Sequence, residues 1–258
     1  MAKPRKLTQP RGWAMSVCVA IIRPLLMLLT RRRWIDGQKL PATGGCVVVG
    51  NHISYADPLT FAHFVYDHGR LPRFLAKSEV FNIPVAGSII ASAGQIPVYR
   101  QSTDASRAFR AAVDAVGRGE CVIVYPEGTI TRQPDLWPMT GKTGAARIAL
   151  ASDVPVIPIA QWGAQHILAP YAKKPKLFPR KMVTMKVGDP VPLDDLRGQP
   201  ITPALLRQAS ERIMDALTAQ LADIRGERPP AVRFDPRAAG VRQTGNPWRE
   251  QRRRGAGR

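Results

Sequence analysis

Short apolar runs alternate along the chain with stretches in which apolar positions recur every three or four residues. The runs GCVVVG (45–50), RFLAK (73–77), QIPVY (95–99), CVIVY (121–125), PVIPIA (155–160) and MVTMKV (182–187) have the length and apolar character of strands. Helical spacing fills residues 57–68, 78–91, 104–117, 142–151 and 203–224. The stretch DASRAFRAAVDAVG (104–117) opens on Asp104, carries Ala and Val along one side, and is closed by Gly117 and Gly119. This alternation predicts a layered α/β fold with a largely parallel sheet flanked by helices. In such sheets ligands gather at the carboxyl ends of the strands. No internal repeat is visible.

Charge changes the picture at the two ends. The formal net charge is +19, and residues 1–33 contribute +8 while residues 225–258 contribute +7. The body is therefore ordinary in charge, and its 45% hydrophobic content suffices for a core. Residues 13–30, WAMSVCVAIIRPLLMLLT, are mostly apolar and lie between Lys3, Arg5, Lys6, Arg11 and Arg31–Arg33. As a helix this segment reaches about 27 Å, just short of a hydrocarbon core. Arg23 near its middle and Pro24 beside it count against a spanning helix. The pattern predicts a bent interfacial helix, with Arg23 snorkelling and the Arg31–Arg33 flank on anionic headgroups. RRRW in place of a small-residue cleavage site argues against a secretory signal. The tail from Arg225, rich in Pro, Gly and Arg without periodicity, is expected to be disordered. Cys18, Cys46 and Cys121 are widely spaced among apolar neighbours and form neither a metal pattern nor a disulfide framework.

Two polar clusters leave strand ends. NHISYAD (51–57) follows CVVVG and sets His52 five positions before Asp57. Its plain reading is a strand-to-helix turn, with Asp57 as N-cap and Pro58 at the first helical position. YPEGTITR (125–132) follows CVIVY, and Gly128 permits unusual backbone angles in the turn. Glu127, Thr129 and Arg132 are then expected to face whatever sits above the sheet. Either cluster alone reads as a solvated loop; the pair in this order points to a site.

Together, HxxxxD after one strand and PEGT about seventy residues later resemble the glycerolipid acyltransferases, the nearest group being the 1-acyl-sn-glycerol-3-phosphate (lysophosphatidic acid) acyltransferases. The likeness covers residues 35–190 in four blocks. NHISYAD carries His52 and Asp57; GQIPVYR carries Gly94 and Arg100; YPEGTITR carries Glu127 and Gly128; VPVIPIA carries Pro155 and Pro158. The linking segment KSEVFNIPVAGSIIASAG (77–94) is also similar. One position departs: the family commonly has Arg directly after EGT, and here Ile130 stands there. Arg132, or Lys142 in GKTG, is the candidate substitute. The resemblance divides the chain into a membrane-associating segment (1–33), an acyltransferase domain (34–224) and the basic tail (225–258).

The resemblance implies transfer of a fatty acyl group to the free hydroxyl of lysophosphatidic acid, giving phosphatidic acid. The donor is expected to be acyl-CoA or acyl carrier protein as co-substrate, with no cofactor or metal. An alcohol needs a base to attack a thioester, and a neutral imidazole serves if a partner fixes its tautomer. His52 is the expected base and Asp57 its partner, an arrangement like the His–Asp part of a triad with the substrate hydroxyl in place of serine. Ser54 lacks the surroundings of a nucleophile elbow. That lack also argues against a thioesterase or lipase. The acceptor phosphate is expected at Arg100 and Arg132. Glu127 is expected to orient Arg100 or to hydrogen-bond a glycerol hydroxyl, with Gly128, Thr129 and Lys142 lining the same site. A bilayer partner, at the cytoplasmic face, follows from the acceptor and the N-terminal segment. Within the superfamily, glycerol 3-phosphate, an ornithine lipid or a mannosylated glycolipid are alternative acceptors. A nucleic-acid-binding protein would use the same basic ends, but aromatics are not interleaved with the basic residues and no such partner is expected.

Overall fold

Strands apolar on both sides can be stable only where helices cover both faces of their sheet. The computed structural model, which describes residues 5–98, 105–242 and 245–247, shows that arrangement. In chain order the elements are α1 (Trp13–Leu29), β1 (Thr30–Ile35), β2 (Cys46–Gly50), α2 (Asp57–Asp67), β3 (Pro72–Lys77), α3 (Ala86–Ser92), β4 (Ile96–Val98), α4 (Ala105–Gly117), β5 (Cys121–Val124), α5 (Gly144–Ala151), β6 (Val156–Trp162), α6 (Ala164–Ile167), β7 (Lys181–Val187) and α7 (Pro203–Arg225). The strands form one sheet in the order β1-β7-β6-β2-β5-β3-β4. Every neighbouring pair is parallel except β6 with β7.

The period-two pleat sorts each central strand between two cores. Val47, Val49, Val122, Val124 and Val156 pack against α4, α5 and α7 through Ala112, Val116, Ala146, Ala149, Leu206 and Ile213. Cys46, Val48, Cys121, Ile123, Ile157 and Ile159 face the other way, onto Phe61, Phe64 and Val65 of α2. Registration sets Cys46 beside Cys121 and Val48 between Ile123 and Ile157. Strand β2 thus lies between β5 and β6, and the loops leaving β2 and β5 start at the same end of the sheet. NHISYAD and YPEGTITR are neighbours for that reason.

Four local expectations are corrected. First, Arg31–Arg33 are not a loose flank following α1; they belong to β1, an edge strand paired with β7. Thr30–Ile35 alternates in burial, so Arg31 and Arg33 point to solvent while Arg32 turns inward. Second, Arg23 does not snorkel. Its guanidinium binds Asp67 at 3.0 Å, where Arg32 (3.6 Å) and the Trp34 indole N–H (3.3 Å) converge on the same carboxylate. Helix α1 is tied to the body there, and Ala14 and Met15 pack with Leu71 and Ala93. Third, the helical run at 78–91 is broken. A 3-10 turn (Ser78–Asn82) precedes α3, with Pro84 and Val85 at positive φ (63°) between them.

The fourth concerns the chain beyond α7. As far as Arg242 it is ordered against the body rather than disordered. Arg233 forms ion pairs with Glu211 and Asp215, and the Phe234 carbonyl accepts the Thr140 N–H at 2.9 Å. Arg225 lies with its guanidinium 4.2 Å from the Trp137 ring and 4.5 Å from that of Trp162. Specific arginine contacts hold a segment whose composition supplies little apolar surface.

Candidate active site

The first motif is built by a carboxylate that turns backwards. Asp57 is the first residue of α2 and Pro58 follows it, but Ala56 holds the cap position. The Asp57 side chain caps nothing in the helix. One oxygen, Oδ2, accepts the Ile53 N–H (2.6 Å), the Ser54 N–H (2.8 Å) and His52 Nδ1 (2.8 Å). Its other oxygen is buried without a hydrogen bond. The turn is therefore wound around Asp57, and the imidazole is gripped by the same atom that fixes the loop. Asp57 is fully buried, while the His52 side chain retains 15% exposure. Burial pushes the Asp57 carboxyl up, and the His52 hydrogen bond and charge, with the Ser54 and Ile53 N–H groups, oppose it. With Nδ1 on the carboxylate, Nε2 is the nitrogen left for substrate.

Behind this pair the backbone is locked to β6. Asn51 exchanges hydrogen bonds with Gln161: Asn51 Nδ2 donates to the Gln161 carbonyl at 3.0 Å, and Gln161 N–H donates to Asn51 Oδ1 at 2.8 Å. Ser54 is fully buried; its hydroxyl donates to the Leu168 carbonyl at 2.6 Å and accepts the Ala56 N–H. The Ser54 hydroxyl thus ties this turn to the segment at Leu168.

The second motif meets the first through Glu127, in a direction the sequence did not suggest. Its side chain is 2% exposed; Oε1 accepts the His52 N–H at 3.0 Å and Oε2 the Met139 N–H at 3.1 Å. Among the described residues its carboxyl oxygens are taken up by these two backbone N–H groups. Glu127 clips the two loops together. Burial pushes its carboxyl up to about 8, against the backbone N–H groups of Met139 and His52. The Thr131 N–H closes the same junction by donating to the His52 carbonyl at 2.7 Å. Gly128 has φ 69°, as its turn requires, and a Cβ there would fall 3.0 Å from the end of the exposed Lys142 side chain. Tyr125, just before this turn, stacks on His52 with ring centroids 4.4 Å apart and an interplanar angle of 17°. Nothing in the spacing of the motifs marks that contact, although an aromatic residue ending a strand beside PEGT is the signal.

The cations are distributed unevenly. Ile130 is buried in the interior, so its position offers no side chain to the cleft. Arg132 is 1% exposed, with Nη2 on the Gly245 carbonyl at 3.2 Å and the Tyr171 ring 5.9 Å away. Its Nε and Nη1 are buried without a hydrogen-bond partner among the described residues. Thr129 is partly buried nearby, within interaction reach of Tyr171. Arg100 lies outside the described residues.

A family model described as Acyltransferase matches residues 32–162. A chloroplastic 1-acyl-sn-glycerol-3-phosphate acyltransferase of Brassica napus is 32% identical over 133 residues, 51% of this chain and 37% of that one. A lyso-ornithine lipid O-acyltransferase of Pseudomonas aeruginosa is 31% identical over 120 residues, 43% of this chain and 41% of that one. The chain thus spans well under half the length of these two relatives. The crystal structure of a 1-acyl-sn-glycerophosphate acyltransferase from Thermotoga maritima superposes with a TM-score of 0.58 over 81% of this chain and 82% of that one, at 23% identity. It shows a shared fold.

Proposed function

The chain belongs to the acyltransferase family, and we propose that it transfers a fatty acyl group from a thioester donor to the free hydroxyl of lysophosphatidic acid, yielding phosphatidic acid. The observation that carries this reading is the His52–Asp57 pair, held by a single carboxylate oxygen at the carboxyl end of β2. His52 Nε2 takes the acceptor's hydroxyl proton as that oxygen attacks the thioester carbon. The C–O bond forms, the C–S bond breaks, and the departing thiolate receives the proton from the imidazolium. Asp57 stabilises that imidazolium and fixes the tautomer that precedes it. No acyl-enzyme is required, in keeping with the hydrogen-bonded state of Ser54. The donor is acyl-CoA or acyl carrier protein. Arg132, whose Nε and Nη1 lack hydrogen-bond partners, receives the acceptor phosphate, together with Arg100.

A lipid acceptor places the protein at a bilayer. Among the described residues no helix is long and apolar enough to cross a membrane. Helix α1 instead exposes a stripe at helical spacing: Trp13 (65%), Val17 (40%), Ile21 (64%), Leu25 (50%) and Leu28 (63%). That face lies in the acyl region in this proposal, with Lys6 and Arg11 at the anionic headgroups.

A second acceptor class, a lyso-ornithine lipid, is favoured by one feature: Ile130 is buried where the family's arginine would stand, so one cation fewer is on hand for a phosphate. Purified protein with labelled palmitoyl-CoA and a panel of lysophosphatidate, glycerol 3-phosphate and lyso-ornithine lipid decides between them. Fastest labelling of lysophosphatidate supports the proposal. Preference for the zwitterionic lipid overturns it in favour of the second reading.

A further inference from the structure

We propose that Tyr125 is a positioning residue for the transfer reaction, its ring face holding the His52 imidazole against Asp57 and favouring the charged imidazolium formed as the acceptor loses its proton. The inference rests on the reading of His52 as the base. It comes from a contact which that reading does not use: the near-parallel stack at 4.4 Å and 17°. The phenol ring is itself held, with Phe61 presented edge-on at 6.0 Å and Phe74 stacked at 6.1 Å. Its hydroxyl is buried beside Gln161 without a hydrogen bond of ordinary geometry. The ring, and not the hydroxyl, is therefore what the site employs.

The place in the chain gives the contact its meaning. Tyr125 ends the run from β5 and stands two residues before Glu127, whose carboxylate holds the His52 N–H. One turn grips the histidine twice, by its backbone through Glu127 and by its ring through Tyr125. An aromatic face is nearly indifferent to neutral imidazole but attracts a cation through its quadrupole. The attraction therefore grows as the proton arrives, and an interaction stronger in the transition state raises kcat without changing KM. Tyr125 exchanges no proton and touches no substrate in this account.

Ring electronics can be varied at constant shape. With Tyr125→Phe as parent, phenylalanines carrying one, two and three ring fluorines are introduced at position 125, which drains negative potential from the face. The parent should keep kcat within about twofold, since the hydroxyl makes no hydrogen bond. Across the series log kcat should fall stepwise, by about two- to thirtyfold in total, as expected for loss of a cation–π contact of ordinary strength. KM for donor and acceptor and the melting temperature should hold steady. A flat series, or a collapse already at Tyr125→Phe, overturns the ring-face role. His52→Ala in the same assay separates the two claims. An inactive His52→Ala beside a flat series removes Tyr125 alone, whereas an active His52→Ala removes the base and Tyr125's role with it.

Discussion

Replacing Asp57 by Asn separates charge from shape at the site. All three donors that reach Asp57 converge on Oδ2, and Oδ1 has no partner. An asparagine can put its carbonyl oxygen in the Oδ2 position and its NH2 in the Oδ1 position. The Ile53 and Ser54 N–H groups stay satisfied, and Nδ1–H of His52 still donates. The tautomer is preserved, and what is lost is the negative charge opposite the imidazolium. With charge centres about 4 Å apart, that interaction is worth up to about 4 kcal/mol at an effective dielectric of about 20. Each 1.4 kcal/mol is about tenfold in rate, so kcat should fall about 10²–10³-fold, the lower end reflecting the partial exposure of His52. Stability should change little. Burying an unpaired amide N–H costs about 1–3 kcal/mol, offset by removing a carboxylate whose burial is unfavourable. Asp57→Ala differs: it strands two backbone donors and should cost about 2–4 kcal/mol. The assay is thiol release from palmitoyl-CoA with lysophosphatidate, alongside urea unfolding of each variant. A kcat for Asp57→Asn within threefold of wild type would refute the charge argument. An Asn variant as unstable as the Ala variant would refute the single-oxygen geometry.

The remaining predictions concern other parts of the site. Because burial raises the Glu127 carboxyl to about 8, the native state holds a proton that the unfolded chain releases above its ordinary value of 4.5. Stability should therefore fall as pH rises between those values, by up to about 1.4 kcal/mol per unit. Glu127→Gln should flatten that slope in urea titrations at pH 5 to 8, and parallel slopes would contradict it. Arg132→Ala should raise KM for the phosphorylated acceptor at least fivefold more than KM for the donor; equal changes would place the phosphate elsewhere. Trp13→Ser with Ile21→Ser should release the protein from anionic vesicles while sparing turnover of short-chain dispersed acceptor, and undiminished vesicle binding would reject the α1 face. Substitution is the sound test there, because deleting residues 1–33 would also remove Thr30–Arg33, most of β1.

The architecture was legible because the central strands are buried on both sides. Runs such as CVVVG and CVIV admit few other environments, and their order with the helices implies a parallel sheet. Strand β1 was not legible: TRRRWI has no apolar alternation, since an edge strand needs only one inward residue in two, and here that residue is Arg32, bound to Asp67. The same carboxylate explains why Arg23 misled, for a charge within an apolar helix signals headgroups only until a partly buried partner is seen. The approach of His52 to Asp57 follows from five-residue spacing in a turn. The inward direction of Glu127 does not, because its partners are backbone N–H groups on two separate loops, one of them 75 residues earlier. The packing of 226–242 depends on Arg233 finding two acids on α7, a three-dimensional match that composition conceals.

The central claim is that His52 is the base for direct transfer from thioester to acceptor hydroxyl, and kcat of folded His52→Ala tests it most directly. Its side chain can be removed without touching the backbone N–H that Glu127 holds or the two N–H groups on Asp57, so the fold should survive, as circular dichroism would verify. Loss of a general base should lower phosphatidic acid formation by about 10²–10⁴-fold. Turnover at the wild-type rate in a folded His52→Ala protein would contradict the account.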